Sequence, residues 1–353
     1  MEEVSVATQN SLGPDPAGDI ILTCRDHDTG STASYRVSSK ILGLASPVFT
    51  SMFGPSYLEG RSLLSESCPT IELKEDAASA LSLMLNALHH QTTTENPELS
   101  PLELAHLALL CDKYDCNKPL RAWIPLWFEH STEEGTLAER IALRLLAAYF
   151  FNDRGQFLRQ SKRAISELAP GELANCIKGD ILTLLPAHVL DEVDARTGDL
   201  LDTLEVELQA TEPRLRVYQR CYDTEQLYCV VCGRSLPDNA KTCHPCRNGL
   251  LPTKYCTSET RVAEYFSTLQ KAQLWPAYTA FRTCSVSEIA NRFVRARAQL
   301  KHTCVAQSSC PLFICLDSLL ATVKQTQVSI LGICLLCVKE NDRKDGTPCS
   351  HKS

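Results

Sequence analysis

The sequence predicts an α+β protein in which a small sheet with a helical layer is followed by a helical middle and a Cys-rich, zinc-stabilised, mostly helical C-terminal domain. Three observations carry this expectation. Residues 19–53 place a strand, a turn, a second strand and two capped helical turns in one order. Residues 136–220 show apolar side chains at helical spacing almost throughout. Thirteen of the 18 cysteines fall within residues 221–353. At 353 residues the chain is too long for one ordinary compact core. The expected segments are a flexible tail over 1–18, a sheet-containing module over 19–130, a helical extension over 131–220 and a Cys-rich metal-binding domain over 221–353.

Ile20, Ile21 and Leu22 form an apolar run suited to a buried strand, Asp28-Thr29-Gly30 is turn chemistry, and Tyr35 and Val37 alternate with polar neighbours on a second strand. Beyond it, Ile41, Leu44, Val48, Phe49 and Met52 recur at near-helical spacing. The run is interrupted where Ser46 can cap a new helix and Pro47 occupies its first position, at which a missing N–H costs nothing. Tyr35, Val37 and Lys40, then Leu42, Ser46, Pro47 and Phe49, resemble the BTB/POZ signature of an aromatic-x-Val-x-x-Lys strand exit followed by Leu-x-x-x-Ser-Pro-x-Phe. Ser38 stands where many animal members carry a histidine, and Val37-Ser38-Ser39-Lys40 is similar to filamentous-fungal members, so the chain resembles a fungal BTB/POZ domain-containing protein. The resemblance implies a module that dimerises and binds partner proteins.

The following residues continue the pattern. Ile71 and Leu73 alternate as a third strand, and Asp76 is placed to cap a helix bearing Leu81, Met84, Leu85 and Leu88. After a polar loop from Gln91 to Leu99, Ser100 and Glu103 form a capping box that opens a helix through Leu104, Leu107, Cys111 and Tyr114. A further helix bears Trp123 and Trp127. Thr136 and Glu139 form a second capping box ahead of Ile141, Leu145, Ala148 and Tyr149. Pro170-Gly171 and Lys178-Gly179-Asp180 punctuate the next helices, and Asp191 to Arg220 reads as one long amphipathic helix with Val193, Leu200, Leu201, Leu204 and Leu208. This extension either packs on the N-terminal module as a spacer or supplies the helical pair with which some BTB adaptors complete a cullin-binding surface.

Cysteine usage then changes. Without a secretory leader, the enrichment points to metal and not to disulfides. Cys229-Val-Val-Cys232 and Cys243-His-Pro-Cys246, ten residues apart, place two chelating pairs at the ends of a hairpin, with Gly233 and Arg247-Asn248-Gly249 giving the turns their backbone freedom. Four thiolates close a tetrahedron around zinc and leave no position for water, so the ion is structural. His244, inside the second pair, is expected to be exposed. A second site draws on His302, Cys304, Cys334, Cys337, Cys349 and His351, with Cys334 and Cys337 the first choices and their alternative a place in the apolar stretch Ile330 to Val338. Cys256, Cys284, Cys310 and Cys315 read as core thiols. Helices are expected from Glu259 to Pro276 and from Ser287 to Leu300; the second carries Arg292, Arg295 and Arg297, with Lys301 and His302 beyond.

A net charge of −7 and a pI near 5.8 disfavour a chain-wide polyanion-binding surface. The stretches Leu145 to Phe151 and Val328 to Val338 fall short of the roughly 18 apolar residues that a membrane span needs. The N-terminus is mildly acidic, with Pro14 and Pro16, and is not a leader, so the chain is expected in the cytoplasm or nucleus. The sequence contains no P-loop, no Gly-x-Gly-x-x-Gly, no Gly-x-Ser-x-Gly elbow and no His-Glu-x-x-His. The resulting expectation is a non-enzymatic protein-interaction scaffold with structural zinc, dimerising through its BTB module. The alternatives are a cullin ubiquitin-ligase adaptor, and a transcriptional or chromatin regulator reaching DNA through the basic helix.

Overall fold

The computed structural model describes residues 13–25, 32–91, 98–176, 180–217, 227–229, 231–232, 234–236, 242–247, 256–302, 304 and 306–340. It is mostly helical (65%) with a small three-stranded sheet, an α+β architecture. Two compact units divide the chain. Unit 1 comprises Met1–Ala164, Leu173–Leu190 and Gly332–Ser353, and unit 2 comprises Ile165–Glu172 and Asp191–Leu331. This division departs from the four expected segments: the helical extension is shared between the units, and the stretch from Gly332 onward groups with unit 1 and not with the Cys-rich region.

In unit 1, β1 (Ile20–Arg25) pairs antiparallel with β2 (Thr32–Val37), Ile20 opposite Val37 and Arg25 opposite Thr32. Alternate residues Ile20, Leu22 and Cys24 are fully buried, the period-2 pattern of a half-buried strand. The turn Asp28-Thr29-Gly30 lies outside the described residues. Residues 13–18, expected as part of a flexible tail, instead run along β2: the Asp15 N–H donates to the Arg36 carbonyl (3.1 Å), and Arg36 Nε donates to the Gly18 carbonyl (2.8 Å). Glycine permits this approach, since a Cβ at Gly18 would fall 2.4 Å from the Val37 oxygen.

The chain continues through α1 (Ser39–Ala45), α2 (Pro47–Met52) and α3 (Leu58–Ser65) into β3 (Thr70–Glu72), which pairs parallel with β1 and gives the order β2-β1-β3. Ser46 caps α2 as the sequence predicts: its Oγ accepts from the Phe49 N–H (3.0 Å) and donates to the Tyr114 carbonyl (2.5 Å). Next come α4 (Ala78–Leu88) and α5 (Pro101–Lys113), packed together, α5 opened by the predicted Ser100–Glu103 capping box. Asp76 does not cap α4, whose first residue follows Ala77 without a side-chain cap. The Asp76 carboxylate is buried and accepts from Lys113 Nζ (2.6 Å) and Tyr114 OH (2.6 Å), because a buried charge gains more from a cation and a hydroxyl than from one helical N–H. After α6 (Asn117–Leu120) and α7 (Ile124–Glu129), α8 (Leu137–Phe150) starts at the Thr136–Glu139 capping box and packs along α5.

The division between units falls within α9 (Arg154–Glu167), near α10 (Glu172–Asn175) and within α11 (Ala187–Val217). The buried stripe of α11 in unit 2 is Val193, Thr197, Leu201, Leu204, Leu208, Thr211 and Leu215, steps of three and four residues; Leu200, expected in it, is only half-buried. A short hairpin of β4 (Leu227–Tyr228) and β5 (Ser235–Leu236) precedes a helical layer of α12 (Ser258–Lys271), α13 (Ala277–Thr283), α14 (Val286–Gln299) and α15 (Pro311–Ser329). The helix expected to run to Pro276 ends at Lys271, where Ala272 caps it and Gln273 takes a positive φ of 58°. Tyr265 OH donates to the Leu208 carbonyl (2.7 Å) and Arg261 Nη2 to the Leu215 carbonyl (3.2 Å), tying α12 to α11. The last described helix, α16 (Leu335–Lys339), belongs to unit 1, where the Ile333 N–H donates to Ser161 Oγ (2.8 Å). Among the described residues no helix is long and apolar enough to cross a membrane.

Candidate metal centres

Two groups of sulfur and imidazole donors stand out in unit 2. In the first, Cys229, Cys232, Cys243 and Cys246, their sulfurs all lie within 4.8 Å of one another. This is the quartet that the two Cys-x-x-Cys pairs predict. The β4–β5 hairpin positions the first pair: Cys229 follows β4, and its N–H donates to the Arg234 carbonyl (2.9 Å). The second pair closes a turn in which the Arg247 N–H donates to the Cys243 carbonyl (2.8 Å) and Arg247 takes a positive φ of 52°. The Cys232 and Cys243 sulfurs are 3.7 Å apart. A zinc tetrahedron with Zn–S distances of about 2.3 Å has sulfur edges of about 3.8 Å. His244 is exposed and stands outside the group, as expected.

Electrostatics within the quartet are uneven. The Cys229 thiol is pushed down to about 6, first by the Cys232 backbone N–H and then by that of Val231, both aimed at its sulfur. Cys246 is pushed up to about 12 by its hydrogen bond with Cys232, then by desolvation. At Cys243 the Cys246 backbone N–H favours the thiolate, but desolvation and the neighbouring thiols prevail and raise it. The Cys229 thiolate forms readily while Cys243 and Cys246 resist adding negative charge beside it, so a bound cation is what would let them ionise together.

The second group is Cys256, His302, Cys304 and Cys310, again with donor atoms within 4.8 Å of one another. His302 and Cys304 are among the predicted candidates. Their companions are not Cys334 and Cys337, which belong to unit 1, but Cys256 and Cys310, expected to be core thiols. Spacing missed Cys256 because it lies 46 residues before His302 and only the packing of α12 with α14 and α15 brings the two together; Cys310, eight residues after His302, was missed because it stands in no close pair. Cys349 and His351 lie outside the described residues. Cys284 and Cys315 are buried, as expected of core thiols. The Cys256 and Cys310 sulfurs are 3.4 Å apart, well beyond a disulfide bond of about 2.05 Å. His302 Nε2 lies 3.2 Å from Cys310 Sγ, and His302 Nδ1 is hydrogen-bonded to Glu264 Oε2. Burial pushes the Cys310 thiol up to about 12.

Either group could hold a metal ion, and the donor chemistry of both suits zinc. Compared with known proteins, the chain matches no family model and no curated protein.

Proposed function

We propose that the chain is a non-enzymatic protein-interaction scaffold of fungal BTB/POZ type, with unit 1 as the partner-binding module and a zinc-stabilised unit 2 as a second platform. The observation that carries this reading is the sheet of unit 1. The two paired strands, the helices α1 and α2 with the Ser46 cap, and the third strand follow the element order on which the resemblance rests, to which α3 is an addition. Leu44, Tyr57, Leu58 and Leu64, in and beside α1 and α3, are largely exposed, an apolar display suited to a protein partner or a second copy of the chain. Support for the zinc comes from the Cys229, Cys232, Cys243 and Cys246 quartet, whose four thiolates would leave an ion no open coordination position.

A nucleic-acid role draws less support. Arg292 is engaged by Glu288 (2.6 Å) and by the Gln273 carbonyl (2.7 Å), Arg297 forks onto Asp317 (2.6 and 3.1 Å), and His302 belongs to the second donor group. Three of the five basic residues are thus engaged within unit 2, and Arg295 and Lys301 are exposed. The test is affinity purification of the tagged chain from its native cells, with and without residues 1–130. Partners lost with those residues support the scaffold, and a cullin among them narrows it to a ligase adaptor. Partners that persist unchanged, or a mass in solution that the truncation does not alter, overturn it.

A further inference from the structure

We propose that Cys256, His302, Cys304 and Cys310 form a second, independent zinc site of three thiolates and one imidazole, with Glu264 as the residue that positions His302. The inference stands apart from the interaction role proposed for the chain and from the Cys229–Cys246 quartet.

Three observations converge on it. The donors come from the ends of three helices: Cys256 lies just before α12, His302 and Cys304 follow α14, and Cys310 caps α15. Four donors of the zinc-preferred kind thus meet where the helical layer closes, although neither Cys256 nor Cys310 forms a close-spaced chelating pair with another cysteine. His302 also has its two nitrogens divided as a zinc-bound imidazole requires. Nε2 faces the thiols, and Nδ1 faces a carboxylate that would hold the proton on that nitrogen and leave Nε2 its lone pair. Finally, the Arg261 side chain is fully buried, and its Nη1 donates to the Cys256 carbonyl (3.1 Å) and reaches Cys256 Sγ (3.7 Å). Three thiolates with one divalent ion leave one net negative charge, and a guanidinium held against one sulfur offsets it.

The line Cys310–His302–Glu264 also has the order of a nucleophile, a base and an orienting carboxylate. Burial decides between the readings. Cys310 is fully buried, His302 and Cys256 are nearly so, only Cys304 is half-exposed, and two further thiols crowd the same imidazole, so among the described residues the Cys310–His302 pair offers a substrate little access while an ion has four ligands.

The experiment uses the full chain loaded with zinc, then with cobalt. Metal analysis should find two ions per chain. A Cys256→Ser, Cys310→Ser variant should lose one ion and keep the cobalt spectrum of a four-thiolate site; a Cys229→Ser, Cys232→Ser variant should lose the other and keep that of a site with one nitrogen. His302→Cys, which conserves four ligands and so guards against simple unfolding, should retain both ions and shift the second site to a four-thiolate spectrum. Glu264→Ala should weaken the second site 10- to 100-fold in chelator competition, and Glu264→Gln, whose carbonyl still accepts from Nδ1, should recover most of that loss. The site is overturned if the Cys256→Ser, Cys310→Ser variant binds as much metal as the unaltered chain, if zinc leaves alkylation of the half-exposed Cys304 in the folded chain unchanged, or if Cys256 and Cys310 are recovered as a disulfide from zinc-loaded protein.

Discussion

Unit 1 and unit 2 solve the problem of holding helices together in different ways. In unit 1 links between distant segments include buried and part-buried hydrogen bonds: Ser46 to the Tyr114 carbonyl, Asp76 to Lys113 and Tyr114, and the Ser38 N–H to His89 Nε2 (3.1 Å). Each is satisfied by protein atoms, and a sheet with a continuous apolar core lies beside them. In unit 2 buried bonds of the same kind tie α12 to α11 through Tyr265 and Arg261, but the described strands are only two residues long, and two groups of thiols and imidazole stand where the hairpin and helices end. Thiols packed together lack the directional pairing of the unit 1 links, so the stability of unit 2 is expected to depend on what the thiols bind, and that of unit 1 is not.

The largest effect should therefore come from a strong chelator. Metal binding supplies roughly 10–16 kcal/mol in zinc-dependent folds, so chelation should unfold much of unit 2 and leave the amides of β1, α4 and α5 protected from hydrogen exchange. Equal loss of protection in both units would erase the contrast. Next in size, Cys310→Ser should destabilise unit 2 by about 4 kcal/mol or more, as losses of a metal ligand at a buried site do. Cys232→Ser should cost less in thermal melting of the helical layer, because the exposed Cys232 belongs to a local hairpin turn.

Acid should separate the units by mechanism. The buried His89 ring is hydrogen-bonded at both nitrogens, to the Leu85 carbonyl (2.8 Å) and the Ser38 N–H, and desolvation lowers its pKa from 6.5. The folded state then binds fewer protons than the unfolded chain, so stability is intact above pH 6.5 and falls as pH drops below it. His89→Gln should flatten that part of the stability profile of unit 1. In unit 2, zinc must displace protons from the raised Cys243 and Cys246 thiols throughout the neutral range and from Cys229 only below about pH 6. Zinc affinity should thus decline steadily with acidification, and His89→Gln should not alter it. The smallest effect expected is Ser46→Ala, about 1–2 kcal/mol from the lost cap and the lost bond to the Tyr114 carbonyl, read as a shift in denaturant midpoint at either metal load.

Much of unit 1 was legible in the sequence because its signals are local. A capping serine, a proline at the first helical turn and a period-2 apolar run act over a few residues, and Ser46, Ser100 and Thr136 cap as they predict. Asp76 was misread because a cap and a buried ion pair use the same residue type, and burial decides between them. The Cys229–Cys246 quartet was legible for the same local reason, since two Cys-x-x-Cys turns carry their own geometry.

By itself the sequence determined the capped elements, the α+β class and the first donor quartet, all set by interactions between residues close along the chain. Only the tertiary structure decided the rest. It placed Gly332 and the residues after it in unit 1, where a Cβ at Gly332 would lie 2.0 Å from the Leu158 carbonyl oxygen. It also selected Cys256 and Cys310 in place of Cys334 and Cys337 as companions of His302 and Cys304. The physical reason is that helix-to-helix packing is a matter of apolar faces with many nearly equivalent partners, so the meeting of Cys256 with the distant segment from His302 to Cys310 is fixed by the whole core.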